Sequence, residues 1–323
     1  MSMERRKVAV AVVLGLLLFG LGWYLGGLSN GTVQKQRDFS EIRHQGNYRF
    51  INPLLECDNF DPSRLSETIN LEDNIRAYIE RQTYAKVSVY YRDLNNGPWF
   101  GIGADDSYAP ASLLKVPILL ASLRQCQFAP DLHLKTIKYD SDTIFDDIVP
   151  NFQSEHIQVG QTYTVDQLME RMIRHSDNGA KDLLLQNFVS QEFLDNVWNE
   201  LGLRGPDWKG PEHMITVKEY SSFFRILYNA TYLNRDYSEM ALRILSESEF
   251  RQGLNAGVPQ DVNVAHKFGE RSYGDSDLKQ LHDCGIIYKP NAPYLLCVMT
   301  QGYDWGEQER IIKEISAMVY RGY

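Results

Sequence analysis

The sequence predicts a two-lobed α/β protein, in which both ends of the chain build an antiparallel sheet and its middle builds an all-helical lobe. Alternating apolar side chains mark strand-like segments close to residue 86 and again after residue 262, and the chain between them has helical spacing and helix caps. Strands that are separated by a run of helices must meet to bury their apolar faces. We therefore expect one five-stranded sheet flanked by helices, with the central helices as a separate lobe.

An uncharged segment precedes this domain. Residues 8–28 carry no charged side chain over 21 positions. A helix of that length spans about 31 Å, at about 1.5 Å per residue, and so crosses a bilayer core. Basic residues at 5–7 and the aromatic pair Trp23 and Tyr24 predict a transmembrane anchor whose N-terminus stays in the cytoplasm. The alternative is a cleaved signal peptide that ends near Ser29.

Both alternatives place the folded domain outside the cytoplasm. We divide the chain into a cytoplasmic stub and transmembrane anchor at 1–30, an extracytoplasmic linker at 31–65 and a folded domain at 66–323. The linker is polar, apart from an apolar patch at 51–55 that we expect to dock on the domain. The prediction is a single-pass protein of the cell membrane, or a secreted protein if the N-terminal segment is cleaved.

Composition excludes two classes of function. The net charge is −9, and no basic stripe interleaved with aromatic residues occurs, which argues against nucleic acid as a partner. The four cysteines include no C-x-x-C, so we predict neither a metal site nor a cofactor. Cys284 and Cys297 flank a predicted hairpin turn and would lie opposite each other; we favour buried thiols over a disulfide there, although an oxidising compartment permits the bond.

The predicted elements follow in chain order. They are a helix over 71–82, strands over 86–92 and 99–102, an apolar helix over 111–124, a helix that opens at Thr164, a helix over 179–188, a helix that opens at Thr216, strands over 262–267, 284–288 and 294–300, and a helix over 306–319.

The first candidate for chemistry is Ser112, three residues before Lys115. A serine in the first turn of a helix lies among free backbone N–H groups that favour developing negative charge. Lys115 faces the same side and is followed by an apolar run, so burial would lower its pKa until it accepts the serine proton. Alone this pattern is weak, because a serine cap followed by a lysine is common in helices.

Two further candidates lie downstream. In the Ser176-Asp177-Asn178 turn, the Ser176 hydroxyl would relay a proton to a leaving nitrogen, and the Asn178 amide would hold a substrate carbonyl. At a predicted strand end, Lys267 would bind a substrate carboxylate and help set the protonation of Ser176. Gly269 permits close approach of a substrate backbone, and the Glu270 N–H would join that of Ser112 as an oxyanion hole. Each motif alone is also an ordinary turn or strand terminus.

Together the three motifs resemble the S-x-x-K, S-D-N and K-T-G set of class A β-lactamases and penicillin-binding proteins, in the same order. The resemblance runs from about residue 72 to 323 and includes the stretches 178–185 and 284–288. It implies the two-lobed serine β-lactamase-like fold, with the site in the cleft between the lobes. It also implies acylation of Ser112 by an amide or a β-lactam, without a metal or cofactor.

The sequence departs from that pattern in two places. Class A β-lactamases carry a deacylating glutamate within E-x-x-L-N, and no such motif occurs between residues 203 and 216, where Asp207 and Glu212 are weak substitutes. Phe268 stands where the family has threonine or serine, whose hydroxyl helps to bind the substrate carboxylate.

These departures give a primary expectation and two alternatives. We expect an extracytoplasmic serine hydrolase or acyl-transferase that forms an acyl-enzyme at Ser112 with β-lactam or peptidoglycan-type peptide substrates and releases it slowly. One alternative is a working β-lactamase with another deacylating residue. The other is a non-catalytic domain that binds cell-wall fragments.

Overall fold

A computed structural model describes residues 48–53, 62–140, 151–152, 154–205, 214–274 and 276–322. The segment Tyr48–Tyr323 forms one compact unit. Across the described ranges, no helix combines the length and the apolar character needed to cross a membrane. The predicted anchor at 8–28 lies outside the described residues and remains a prediction.

Strands from both ends of the chain form one antiparallel five-stranded sheet, with the order β2-β1-β9-β8-β7. The pairing of β1 with β9 joins the two ends, and it confirms the predicted architecture. The strands are β1 Lys86–Asp93, β2 Trp99–Ile102, β3 Ser107–Tyr108, β4 Thr136–Lys138, β5 Thr162–Thr164, β6 Ile215–Thr216, β7 Val264–Ser272, β8 Lys279–Ile287 and β9 Tyr294–Gly302. Of these, β3 pairs with β6 and β4 with β5 in two small separate sheets.

The helices occupy both faces of the large sheet. They are α1 Pro62–Ile79, α2 Lys115–Phe128, α3 Val165–Arg174, α4 Asn178–Asn187, α5 Gln191–Glu200, α6 Val217–Tyr228, α7 Arg235–Ser246 and α8 Trp305–Gly322. The terminal helices α1 and α8 cover one face, where Ile75, Ile311 and Ile315 meet Val89 and Val298 in one apolar core. The helices α2 to α7 form the lobe on the other face.

The core of the helical lobe continues onto the sheet. Buried residues of α2, such as Leu119 and Leu123, belong to the same cluster as Ala265 and Ile286 from the inner face of β7 and β8. Because α2 is apolar on nearly every side, it is enclosed by its neighbours instead of lying on the surface. This burial fixes the N-terminus of α2 against the sheet.

Two helices of the lobe, α5 and α7, were not predicted. Each has a clear N-cap, since the side chains of Ser190 and Asn234 accept hydrogen bonds from the N–H groups of Phe193 and Tyr237. The caps and the helical spacing of the buried apolar residues were both present in the sequence, so these two helices had local signals that the prediction did not use. The predicted caps at Thr164 and Thr216 are both present as capping boxes.

The described part of the predicted linker is folded onto the domain. Glu239 of α7 accepts hydrogen bonds from three successive backbone N–H groups, those of Arg49, Phe50 and Ile51, at 2.6, 2.8 and 3.0 Å. The Phe50 ring packs edge-on against Tyr288 at 5.2 Å. Residues 48–53 therefore belong to the unit that contains the sheet.

The preference for free thiols at Cys284 and Cys297 was wrong, because the structure joins them in a disulfide. They are directly opposite partners on β8 and β9, with their Cα atoms 4.0 Å apart. The sequence placed them across a turn but could not fix the register that brings the two sulfur atoms face to face. Cys126 is a buried free thiol.

Candidate active site

Ser112 lies in a short 3₁₀ turn, Ala111–Leu114, that leads directly into α2. The predicted helix over 111–124 therefore begins with a tighter turn. Ala111 has a φ of 48°, in the left-handed region that costs free energy for a residue with a Cβ. Tyr220 of α6 holds the turn from the lobe, since its hydroxyl donates to the Leu113 carbonyl at 3.0 Å. Packing of this turn thus holds Ser112 directly after a residue in a strained conformation.

Lys115 brings the first two motifs together. Its Nζ lies 3.0 Å from Ser112 Oγ and 3.1 Å from Ser176 Oγ. It also donates to the Ser176 backbone carbonyl at 2.5 Å and to Asn178 Oδ1 at 2.7 Å. These two oxygens can only accept, so they take two N–H bonds from the amine. A neutral Lys115 then has its lone pair left for a hydroxyl of Ser112 or Ser176.

The surroundings of Lys115 favour that neutral form. Burial holds the pKa of Lys115 well below its usual value, and the positive charges of Lys267 and Lys181 lower it further. Asp177 and Asp182 oppose this shift but do not reverse its direction. The side chain is 1% exposed, so water does not screen these effects. The structure therefore provides a buried amine of lowered basicity in contact with Ser112 Oγ.

Ser176 lies between α3 and α4, in a backbone turn with a φ of 54°. The fully buried Asp177 next to it braces the turn. Its carboxylate accepts from the N–H of Ile157 at 2.7 Å and from the N–H of Ala180 at 3.3 Å. The turn directs the Ser176 hydroxyl toward both lysines. Asn178, predicted to hold a substrate carbonyl, has its amide oxygen on Lys115.

Lys267 reaches the site from β7. Its Nζ lies 3.0 Å from Ser176 Oγ and donates to the Phe268 carbonyl at 2.9 Å. Burial lowers the pKa of Lys267 to about 7, against the opposing charges of Asp283 and Glu270. Ser176 Oγ is thereby placed between two amines, a position suited to passing a proton.

β7 touches the Ser112 turn at Gly269. A Cβ on this residue would lie 2.7 Å from the Pro110 carbonyl oxygen and 3.1 Å from the Leu113 nitrogen, closer than real side chains approach. Only glycine permits this contact, which brings the backbone of Glu270 close to that of Ser112. The oxyanion hole formed by these two N–H groups remains a prediction.

Phe268 packs its ring beside Lys267, whose Nζ lies 3.9 Å from the ring centroid. The ring stacks on Phe250 at 4.2 Å between centroids and meets Phe152 edge-on at 5.1 Å. It is 2% exposed and belongs to the apolar core of α1 and α8. The aromatic residue at this position thus has a packing role, which the sequence alone did not reveal.

The sequence did not predict a buried polar cluster close to Lys267, which is formed by His266, Asp283 and Asn255. His266 Nδ1 lies 2.7 Å from Asp283 Oδ1, and its Nε2 lies 2.7 Å from Asn255 Nδ2. Asp283 also accepts from the Leu254 N–H at 2.9 Å. No sequence signal links these residues, because they come from β7, β8 and the loop between α7 and β7. These residues satisfy one another's hydrogen-bonding groups, and Asp283 places one negative charge near Lys267.

The match to known proteins decides the family. The sequence profile of the beta-lactamase enzyme family matches residues 70–323. The chain belongs to this family. A relative from Mycobacterium tuberculosis named beta-lactamase is 28% identical over 268 residues, covering 75% of this chain and 83% of the relative. A beta-lactamase of Bacillus licheniformis is 24% identical over 276 residues, covering 80% of this chain and 86% of the relative.

Solved structures of similar proteins show the same fold for this beta-lactamase family member. The TLA-1 extended-spectrum beta-lactamase superposes with a TM-score of 0.69 at 19% identity, covering 79% of this chain and 99% of that chain. The structure of PBP-A superposes with a TM-score of 0.66 at 22% identity, covering 78% and 95%. The expectation of a serine hydrolase related to class A β-lactamases is confirmed.

The deacylating carboxylate is not identified. Asp207 and Glu212, the two weak candidates, lie outside the described residues. Within the described part of the chain, no three His, Cys, Asp or Glu side chains are grouped so as to hold a metal ion. The described site thus consists of two hydroxyls, two amines and one amide, contributed by Ser112, Ser176, Lys115, Lys267 and Asn178.

Proposed function

We propose that this protein is a serine acyl-transfer enzyme that forms an acyl-enzyme at Ser112 with β-lactam or peptidoglycan-type peptide substrates and releases it slowly. The observation that carries the proposal is the 3.0 Å contact between Ser112 Oγ and a buried Lys115 whose pKa is lowered. A hydroxyl becomes a useful nucleophile when an adjacent base takes its proton. A lysine with only a packing role would not require a contact with the Ser112 hydroxyl.

Acylation begins when Ser112 Oγ attacks the carbonyl carbon of an amide or lactam while Lys115 takes the hydroxyl proton. The carbonyl oxygen becomes negative and is received by the backbone N–H groups of Ser112 and Glu270. Collapse of this tetrahedral intermediate breaks the carbon–nitrogen bond. The proton on Lys115 then passes through the Ser176 hydroxyl to the leaving nitrogen, a path that the 3.1 Å distance from Lys115 Nζ to Ser176 Oγ supports.

Lys267 assists this transfer through its charge. Its Nζ lies 3.0 Å from Ser176 Oγ, so its protonated form stabilises the hydroxyl while a proton leaves it. Slow release of the acyl group is proposed because the sequence lacks the E-x-x-L-N motif that supplies the deacylating glutamate in class A enzymes.

A fluorescent penicillin tests the proposal. Wild-type protein should become covalently labelled, and intact-mass analysis should show one adduct that persists for many minutes. Ser112→Ala is the matched variant, because it removes one oxygen and should abolish the label. Equal labelling of both proteins, or no labelling of wild type, would refute acylation at Ser112. The absence of any adduct would favour a non-catalytic domain that binds wall fragments.

A second candidate function is hydrolysis of β-lactams with turnover. Similarity to relatives named beta-lactamase over 75% to 80% of this chain favours it. Steady hydrolysis of a chromogenic cephalosporin by catalytic amounts of protein would support this candidate. Consumption of a single equivalent followed by no further reaction would leave only the slow acyl-enzyme. If hydrolysis is steady, Asp207→Asn and Glu212→Gln, compared side by side, would locate the deacylating carboxylate.

We further propose a membrane-anchored, extracytoplasmic location. The support is the uncharged run at 8–28 behind basic residues at 5–7. In a bacterial host, the full chain should sediment with membranes and be digested by protease added outside the cytoplasmic membrane. A chain that starts at residue 31 should lose membrane association. Recovery of the full chain in the cytoplasmic fraction would disprove the location.

A further inference from the structure

The outer face of β7 next to the site carries an acid instead of a hydroxyl. Successive side chains of a strand alternate in direction, so Phe268 and Glu270 share one face, about 6.6 Å apart along the strand. Both oxygens of the Glu270 carboxylate accept from the Phe152 N–H, at 3.1 and 3.3 Å. The ring of Phe152 also packs against Phe268. Phe152 therefore covers this face and holds the Glu270 carboxylate in place.

Glu270 changes the charge that a substrate meets. Burial raises the pKa of Glu270, whereas the hydrogen bond from the Phe152 N–H and the positive charges of Lys267 and Lys115 oppose that shift. The Glu270 charge in turn raises the pKa of Lys267. The other carboxylate that acts on Lys267 is Asp283, which is fully buried against His266. Lys267 itself is 0% exposed. Of Lys267, Asp283 and Glu270, only Glu270 is partly exposed, so its negative charge is the one of the three that a substrate meets.

This arrangement opposes a substrate carboxylate. In the family that the motifs resemble, the residue at the position of Phe268 supplies a hydroxyl to that carboxylate. Phe268 has no hydroxyl, and its ring stacks on Phe250 in the core, so this residue cannot donate to a substrate carboxylate. A carboxylate placed at this edge would also lie within a few ångströms of Glu270. Two like charges at that distance in a partly buried site repel strongly.

We propose that Glu270 is a specificity-determining residue. Its negative charge disfavours acyl donors that carry a carboxylate beside the reacting amide. The preferred donors carry an uncharged group there, such as the next peptide bond of an internal peptide. This inference rests on the proposed acylation of Ser112 and names its substrate class.

Benzylpenicillin and its methyl ester test this directly, because they differ in the carboxylate charge and share the reacting lactam. The measurement is the second-order rate constant for adduct formation at Ser112, followed by intact mass, expressed as the ratio of acid to ester. In Glu270→Gln this ratio should rise about tenfold over wild type. Changes in folding or in the oxyanion hole affect both compounds alike and cancel in the ratio.

Glu192→Gln is the control for net charge, because Glu192 is an exposed carboxylate on α5. Its ratio should equal that of wild type. Glu270→Ser is the second variant, in case the amide of glutamine disturbs the contact with Phe152, and it should raise the ratio as well. An acid-to-ester ratio that stays the same in both Glu270 variants would overturn the inference.

Failure of the proposed acylation at Ser112 can be distinguished from failure of the inference about Glu270. If neither compound forms an adduct with wild type, acylation at Ser112 is refuted. The inference is then judged by calorimetric dissociation constants of the acid and the ester on Ser112→Ala and on the double variant Ser112→Ala with Glu270→Gln. Weaker binding of the acid that disappears without the Glu270 charge supports the inference, and equal binding of acid and ester in both proteins contradicts it.

Discussion

At the scale of single residues, the site depends on two lysines that share one hydroxyl. Ser176 Oγ lies 3.1 Å from Lys115 Nζ and 3.0 Å from Lys267 Nζ. Burial lowers the pKa values of both amines, and the positive charge of Lys267 lowers that of Lys115 further. The pair is therefore best occupied by one proton, with Lys115 neutral as the base and Lys267 charged.

The pH profile of acylation follows from this assignment. Lys267 works in its protonated form and has a pKa of about 7, so its contribution is complete below that pH and is lost as the pH rises through it. Lys115 works in its neutral form, so the rate should also fall at acid pH. We expect a bell-shaped profile of the labelling rate with its alkaline limb near pH 7.

Lys267→Arg checks the origin of the alkaline limb. Arginine keeps its proton throughout the accessible range, so the limb should disappear even if the absolute rate falls. The exposed Lys313→Arg on α8 is the control and should retain the wild-type profile. An alkaline limb that persists unchanged in Lys267→Arg would assign it to another group.

At the scale of elements, the contact of β7 with the Ser112 turn sets the width of the site. The turn is held from below by β7 at Gly269 and from the lobe by Tyr220, which binds the Leu113 carbonyl. The sheet and the lobe thus meet at Ser112. A displacement of either element moves the nucleophile relative to the predicted oxyanion hole.

Gly269→Ala tests this contact. The added methyl group would lie 2.7 Å from the Pro110 carbonyl oxygen and 2.9 Å from Leu113 Cγ, so the turn and the strand must separate. We expect a loss of roughly 2 kcal/mol in the free energy of unfolding. The acylation rate should fall by roughly a hundredfold, because small displacements of a nucleophile are costly.

Gly274→Ala is the matched control on the same segment. A Cβ at Gly274 meets no atom within 4 Å, so both stability and labelling should stay close to wild type. Full acylation activity in Gly269→Ala would mean that the close approach of β7 does not position Ser112.

At the scale of the whole molecule, the two ends of the chain close the sheet. β1 follows α1, and β9 precedes α8, so the pairing of β1 with β9 joins segments that lie on either side of the entire lobe in the chain. The segment 48–53 adds a second long-range tie, because Glu239 binds three of its N–H groups. Stability therefore depends on residues that precede the region matched by the family profile.

Phe50→Ala tests how much the segment 48–53 contributes to the free energy of unfolding. Phe50 is 6% exposed and packs against Tyr288, so its truncation should lower the free energy of unfolding by about 3 kcal/mol in a denaturant titration. Phe128→Ala is the control, because Phe128 is 70% exposed and its loss should cost less than about 0.5 kcal/mol. Equal stability of the two variants would show that the segment contributes nothing to the fold.

Agreement between the predicted and the observed bounds differs from one element to another. β2 has the predicted bounds, and β1 extends one residue beyond them, because their alternating apolar side chains and the intervening turn are local signals. β7 and β8 are longer than predicted, since the missed stretches 268–272 and 279–283 are rich in polar residues and hide the apolar alternation, while pairing between the two strands continues through them. Helices α5 and α7 were missed, although their N-caps and the helical spacing of their apolar residues are local signals of the same kind.

The sequence by itself determined the order of the motifs, the five-stranded sheet and the residues that meet at the site, because motif spacing and apolar alternation are local properties. Only the tertiary structure decided the environment of those residues. The lowered pKa of Lys115, the disulfide at Cys284 and the position of Glu270 beside Phe152 arise from distant segments that fold together. Burial and register are properties of the packed chain, and no local pattern specifies them.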